Sequence, residues 1–165
     1  MKKYEFTGET KEIKLLFRTA VLHRIRATVS FGFVKIGDLG GWIEKEENLS
    51  HEGKAWVCGD AKVWGDAKVW GNAKVCGDAK VFSASHVLVI GAIGSRNDFT
   101  TFYRDKDNEI TVKCGCFLGK IDRFLEKVTQ THGDSKYALV YRAAVEVAKL
   151  QIDLSGEAPK DADEE

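Results

Sequence analysis

The chain has 165 residues, with 25 Lys plus Arg balanced by 25 Asp plus Glu, and four cysteines. That length suits one compact unit or a small repeat with capping segments, and the balanced charge gives no global field to attract a nucleic-acid polymer. No stretch approaches the ~20 apolar residues that span a bilayer, the opening MKKYEFTGETKE lacks an apolar leader core, and four cysteines do not make a secreted disulfide framework. The expected location is cytoplasmic, with no membrane partner.

Residues 1–40 are expected to form an N-terminal β cap. In VLHRIRATVSF, Val21, Ile25, Ala27 and Val29 alternate with Arg24, Arg26 and Thr28, the pattern of a half-buried strand. Gly37, Gly40 and Gly41 then mark tight turns that lead into the next segment.

Residues 41–90 repeat every six positions. From Gly53 to Leu88 the hexads read GKAWVC, GDAKVW, GDAKVW, GNAKVC, GDAKVF and SASHVL, and Gly41 and Ile43 keep the same phase one segment earlier. A fixed internal period implies stacked short units. Hexads with an aliphatic residue two places after a small one resemble the left-handed parallel β-helix, a triangular prism with three hexads per coil. The resemblance implies that Val57, Val63, Val69, Val75, Val81 and Val87 point inward and that Ala55, Ala61, Ala67, Ala73 and Ala79 fill the corners. The Gly-Asp and Gly-Asn pairs would turn those corners, where positive φ is needed. The predicted fold class is therefore mainly β: a short left-handed parallel β-helix between an N-terminal β cap and a C-terminal α+β cap of a hairpin plus two helices. Such a prism would be only ~13 Å tall at roughly 4.8 Å per coil, so it must lean on its flanks, on copies of itself, or on both.

In that register Trp64 lies under Phe82, Trp70 under Leu88, Cys58 under Cys76, Lys62 under Lys80 and Lys68 under His86. The ridges Trp64/Phe82 and Trp70/Leu88 are expected to form an oligomer interface, and proteins with this repeat are commonly trimers, so the resemblance implies a homotrimer. The lysine column reads as a solvated ladder balanced by corner aspartates, or as an anion groove between subunits. Cys58 and Cys76 fall within the usual Cα separation of a bridge, but they occupy a slot where other hexads carry Trp or Phe, and reduced thiols are expected. Cys114-Gly-Cys116 lacks an accompanying Cys or His pair and no three histidines converge, so neither a metal nor a cofactor is expected.

Residues 91–152 are expected to form the C-terminal cap. FTTFYR, a turn at Asp105–Asn108 and EITVKCGCF read as a hairpin with Ile110, Val112, Cys114 and Cys116 on one face. Ile121, Phe124, Leu125 and Val128 fall at helical spacing up to Gly133, and Asp134 caps a second helix through Tyr137, Val140, Tyr141, Ala144 and Ala148. Residues 153–165 read as a disordered acidic tail.

The densest polar cluster follows the repeat: Ser95, Arg96, Asn97 and Asp98, then Thr100 and Thr101. A glycine turn that offers backbone N–H groups beside an arginine and hydroxyls suits a phosphate or carboxylate. Phe117 is the candidate to stack on a base, and His132 completes the ligand-binding set. Nothing in the cluster supplies an activated nucleophile, so no catalytic residue is assigned. The structural alternatives are that Arg96 and Asp98 staple the repeat to the hairpin, that His132 satisfies last-turn carbonyls, and that Phe117 is ordinary core.

HRIRA, VKIGDLGGWIE, the GNAKV-type hexads, IGSRNDFTTF, CGCFLG and THGD with its Tyr-rich helix together resemble the YdcK-like hexapeptide-repeat proteins common in phages and prophages, from about Leu22 to Leu150. The resemblance implies the fold and a phage association. The combined expectation is a non-enzymatic homotrimer that binds a small anionic, nucleotide-like ligand and sequesters a host antiphage immune signal as a sponge. Two other classes stay open: an acyltransferase-like enzyme using His86 as general base, and a scaffolding trimer without a ligand.

Overall fold

A computed structural model of the chain describes residues 1–157 and 159–161. In chain order the strands are β1 (Tyr4–Lys14), β2 (Thr19–Ala27), β3 (Leu39–Ile43), β4 (Trp56–Val57), β5 (Lys62–Val63), β6 (Lys74–Val75), β7 (Lys80–Val81), β8 (Val87–Ile93), β9 (Asp98–Arg104), β10 (Ile110–Cys114) and β11 (Phe117–Lys120). Two helices follow, α1 (Ile121–His132) and α2 (Lys136–Gln151).

The predicted left-handed parallel β-helix is not the fold. The strands form three sheets: a mixed five-stranded sheet in the order β1-β2-β3-β5-β7, an antiparallel four-stranded sheet β11-β10-β9-β8, and the parallel pair β4-β6. Among the described residues, five of the eight strand pairings are antiparallel, and no sheet closes on itself or winds into a solenoid. The reason lies in strand length. Each hexad strand holds only two residues, whereas the flanking sequences supply strands of up to 11 residues that pair antiparallel and dominate the sheets.

The hexads still set local register. Trp56 pairs with Lys74 and Lys62 with Lys80, each 18 positions on. Val57, Val63, Val69, Val75 and Val81 are buried with Ala55, Ala61, Ala67, Ala73 and Ala79 in one apolar core, while Val87 is half-buried at its edge. Gly53 shows why the corners need glycine: its φ is +66°, and a Cβ there would lie 2.7 Å from the Gly71 carbonyl oxygen.

β1 and β2 form an antiparallel hairpin that the sequence reading places only from β2 onward. Its buried Ile13, Ala20 and Leu22 pack with Trp42 and Trp64 in a second apolar cluster. Trp64 is 2% exposed and stacks on Phe82 with ring centroids 4.9 Å apart. That ridge is therefore covered by the chain's own hairpin and is not the exposed interface the sequence suggests. Leu88 is also accounted for internally, packed against the core between sheet and helices, whereas Trp70 remains 71% exposed.

Four further expectations change. The lysine column is not solvated: Lys62 and Lys80 are buried, and the Asp161 carboxylate lies 3.2 Å from the Lys62 ammonium and 3.7 Å from that of Lys80. In the expected acidic tail, Asp161 bridges Ile13, while residues 158 and 162–165 lie outside the described residues. Cys58 and Cys76 are joined in a disulfide, since the β4–β6 pairing brings their Cα atoms to 4.5 Å. Finally, α2 begins after Ser135 rather than Asp134, which lies exposed and pairs with Arg142 at 3.7 Å.

The C-terminal sheet joins the hexad core through Tyr103. Its buried hydroxyl donates to the Cys76 carbonyl oxygen at 2.8 Å and accepts from the Cys76 N–H at 3.2 Å, and burial pushes its pKa upward. The predicted hairpin gains a third strand because the chain turns again at Gly115-Cys116, which leaves Cys116 exposed rather than on the apolar face with Ile110 and Val112. On the far side of this sheet, Phe124, Val128, Ala138, Tyr141, Ala144, Val145 and Ala148 bury the helices against Phe102 and Val112.

Candidate functional site

Where α1 and α2 meet the turns of the four-stranded sheet, a cleft of about 320 Å³ opens. The β8–β9 turn contributes Ser95 and Arg96, and β9 contributes Asp98 and Thr100. Gly115 and Cys116 come from the β10–β11 turn and Phe117 from the start of β11, while Lys127, Thr131 and His132 come from the last turns of α1. Phe124 and Tyr141 form its apolar floor. The chain enters this arrangement through two reversals at positive φ, one at Gly94 and Asn97 and the other at Gly115.

Six of the eight expected ligand-binding residues thus meet in one cleft: Ser95, Arg96, Asp98, Thr100, Phe117 and His132. Asn97 is the exposed apex of its turn and does not line it. Thr101 faces the other side of β9, where its hydroxyl oxygen accepts from the Lys74 N–H at 3.1 Å. Lys127, Thr131 and Tyr141 belong to the cleft but escape the sequence reading. Lys127 and Thr131 are spaced for one helix face with His132 beside them, and that spacing is the signal that was available.

Arg96 is exposed, and among the described residues its guanidinium makes no hydrogen bond or ion pair. It lies against Gly115, where a Cβ would come within 2.9 Å of its Nη1. Asp98 instead caps its own turn, its Oδ1 accepting from the Phe99 N–H at 2.7 Å. The residue that does hold the C-terminal elements together is Arg104, which is buried and donates to the carbonyl oxygens of Ser155 and Gly156 and to Asn108.

Rings organise the floor. Phe117 and Phe124 are 5.4 Å apart, Phe124 meets Tyr141 edge-on at 5.7 Å, and His132 stacks on Tyr141 at 5.7 Å. Burial, followed by the neighbouring Cys114 thiol, pushes the Tyr141 phenol upward, so it stays neutral as a hydrogen-bond donor. Thr100 Oγ1 donates to Cys114 Sγ at 3.4 Å. Among the described residues, no cleft nucleophile is hydrogen-bonded to a histidine or carboxylate base, and no group of three His, Cys, Asp or Glu is placed to hold a metal ion.

His86, the general base of the acyltransferase reading, is 2% exposed. Its Nδ1 accepts from the Phe82 N–H at 3.1 Å, and Arg104 Nη1 lies 3.3 Å from Nε2. Burial, reinforced by Arg104, lowers its pKa to about 4.

No known protein family matches the chain and no curated protein matches it. No helix among the described residues is long and apolar enough to cross a membrane.

Proposed function

We propose that the chain is a non-enzymatic binding protein whose Arg96 cleft holds a small anionic, ring-bearing molecule of the nucleotide class. The observation that carries this reading is an Arg96 guanidinium, without a hydrogen bond or ion pair among the described residues, at the lip of a cleft floored by aromatic rings. Arginine forms paired bonds to phosphate or carboxylate, and the Phe117 and Tyr141 rings offer faces and edges to a flat heterocycle. Lys127 and His132 add cationic or donor groups on the opposite wall, and Ser95 and Thr131 add hydroxyls. Without a base-activated nucleophile in the cleft, binding without turnover fits better than catalysis. Sequestration of a nucleotide signal is the role this chemistry would serve. The Trp64/Phe82 ridge is covered within the chain, so a homotrimer would rest on the exposed Trp70 instead.

Calorimetry against a panel of mononucleotides, cyclic nucleotides and ADP-ribose tests the proposal, with the ligand recovered and chromatographed afterwards. Binding that Arg96→Ala weakens, with the ligand returned intact, supports it. Released products would favour an enzyme, and no binding across the panel would leave the scaffold.

A further inference from the structure

A second concavity, of about 390 Å³, lies beside the Arg96 cleft and shares Asp98 and Gly115 with it. Three distant parts of the sequence build it. The hexads supply Lys54, Asn72 and Lys74, the four-stranded sheet supplies Thr101 and Lys113, and the loop after β2 supplies Phe33. The repeat aligns Trp56 with Lys74, which stacks the Lys54 end of one segment on the Asn72 end of the next. The Lys74–Thr101 hydrogen bond then fastens the sheet alongside, bringing Lys113 to the same space.

Three lysines therefore line one hollow. Among the described residues, Lys54, Lys74 and Lys113 make no ion pair, and Lys113 donates only to the Gly115 carbonyl oxygen. The one carboxylate in the lining, Asp98, already accepts a backbone N–H. Lys74 sits 4.6 Å from the Phe33 ring centroid, so its ammonium is held over an aromatic face instead of an anion. Its pKa is lowered by burial and then by Lys113, with Lys54 pushing the same way against the opposing pull of Asp98. Uncompensated like charges around a concave space oppose folding unless something supplies the counter-charge.

We propose that the Lys54–Lys74–Lys113 cleft is a separate anion site that takes a compact oligophosphate. Several negative charges within a few ångströms match three lysines lining one hollow better than one carboxylate would. The hollow is small, about 390 Å³, and the chain as a whole is charge-neutral, so a small polyanion suits it where a nucleic-acid polymer does not.

The probe is inorganic tripolyphosphate, titrated by calorimetry into the full chain at low salt. Wild type should bind, Lys74→Met and Lys113→Met should each weaken binding roughly tenfold or more, and Arg96→Ala should leave it unchanged. Thermal melting without ligand controls for folding: Lys74→Met should melt no lower than wild type, because it removes like-charge repulsion. Absence of binding to folded wild type overturns the proposal. So does affinity unchanged in both lysine variants, or affinity lost only in Arg96→Ala, which would place the anion in the neighbouring cleft.

Discussion

The Asp161 carboxylate reaches the Lys62 ammonium at 3.2 Å, and both side chains are more than nine-tenths buried. A segment near the C-terminus thus neutralises charges presented by the repeat, and Pro159 adds a carbonyl oxygen that accepts from Lys80 at 3.2 Å. Removing one partner of a buried pair leaves the other charge uncompensated. Asp161→Asn should therefore destabilise the chain by on the order of 3 kcal/mol, read as a lower urea midpoint with an unchanged slope. A midpoint equal to that of wild type would show that the tail does not secure the lysines.

His86 makes stability depend on pH. Its folded pKa, lowered to about 4, lies below the ordinary value of 6.5, so between those values the unfolded chain binds a proton that the folded chain excludes. Stability contributed by neutral His86 is complete above about pH 6.5, falls as the pH drops, and is fully lost near pH 4. The loss should be on the order of 3 kcal/mol. His86→Gln should flatten the melting-temperature profile across that window, and an equally steep profile in the variant would assign the effect to other groups.

Trp64 and Trp70 occupy equivalent hexad positions but differ in burial, 2% against 71% exposed. Trp64→Ala should cost about 3–5 kcal/mol, as for a large ring removed from a core. Trp70→Ala should shift stability by about 0.5 kcal/mol or less. Chemical denaturation of the two variants checks this, and equal costs would mean that the hairpin does not protect Trp64.

The same pair marks where the sequence stops being readable. Period six and the Val/Ala alternation locate the buried positions of the hexads, because they depend on residue size alone. Which outward side chain ends up covered depends on β1, whose run of Glu, Thr and Lys buries only Tyr4 and Ile13 and so carries almost no apolar alternation. The parallel prism fails for a related reason: two-residue hexad strands are outweighed by long antiparallel flanks that the period does not describe. In the cleft, Ser95, Arg96 and Asp98 are legible as a polar glycine turn. Tyr141 is not, since a tyrosine at helical spacing reads as core until the packing of α1 on the sheet leaves one edge of its ring lining an opening.

Gly94 holds that edge in place. Its φ is +77°, and a Cβ added there would fall 1.9 Å from the Tyr141 hydroxyl, well inside contact. Gly94→Ala should therefore displace the Tyr141 ring from the cleft floor and strain the turn, at a cost of about 1–3 kcal/mol. If the Arg96 cleft binds through its aromatic floor, the variant should also lose nucleotide affinity at temperatures where it remains folded. Retained affinity in folded Gly94→Ala would remove Tyr141 from the binding surface.

Thiol labelling reads the same cleft without mutation. Cys116 is exposed at the lip, whereas Cys114 is half-buried, accepts from Thr100 and faces Tyr141. Reaction with an alkylating reagent requires access to the sulfur, which is lower for the half-buried Cys114 than for the exposed Cys116. Iodoacetamide followed by peptide mass spectrometry should modify Cys116 roughly ten times faster than Cys114. Cys58 and Cys76, joined to each other, should stay unmodified. A saturating nucleotide that occupies the Arg96 cleft should slow Cys116 labelling, while tripolyphosphate in the lysine cleft should leave it faster than Cys114. Equal rates at both thiols would mean that the β10–β11 turn opens in solution and that the cleft wall is not held as described.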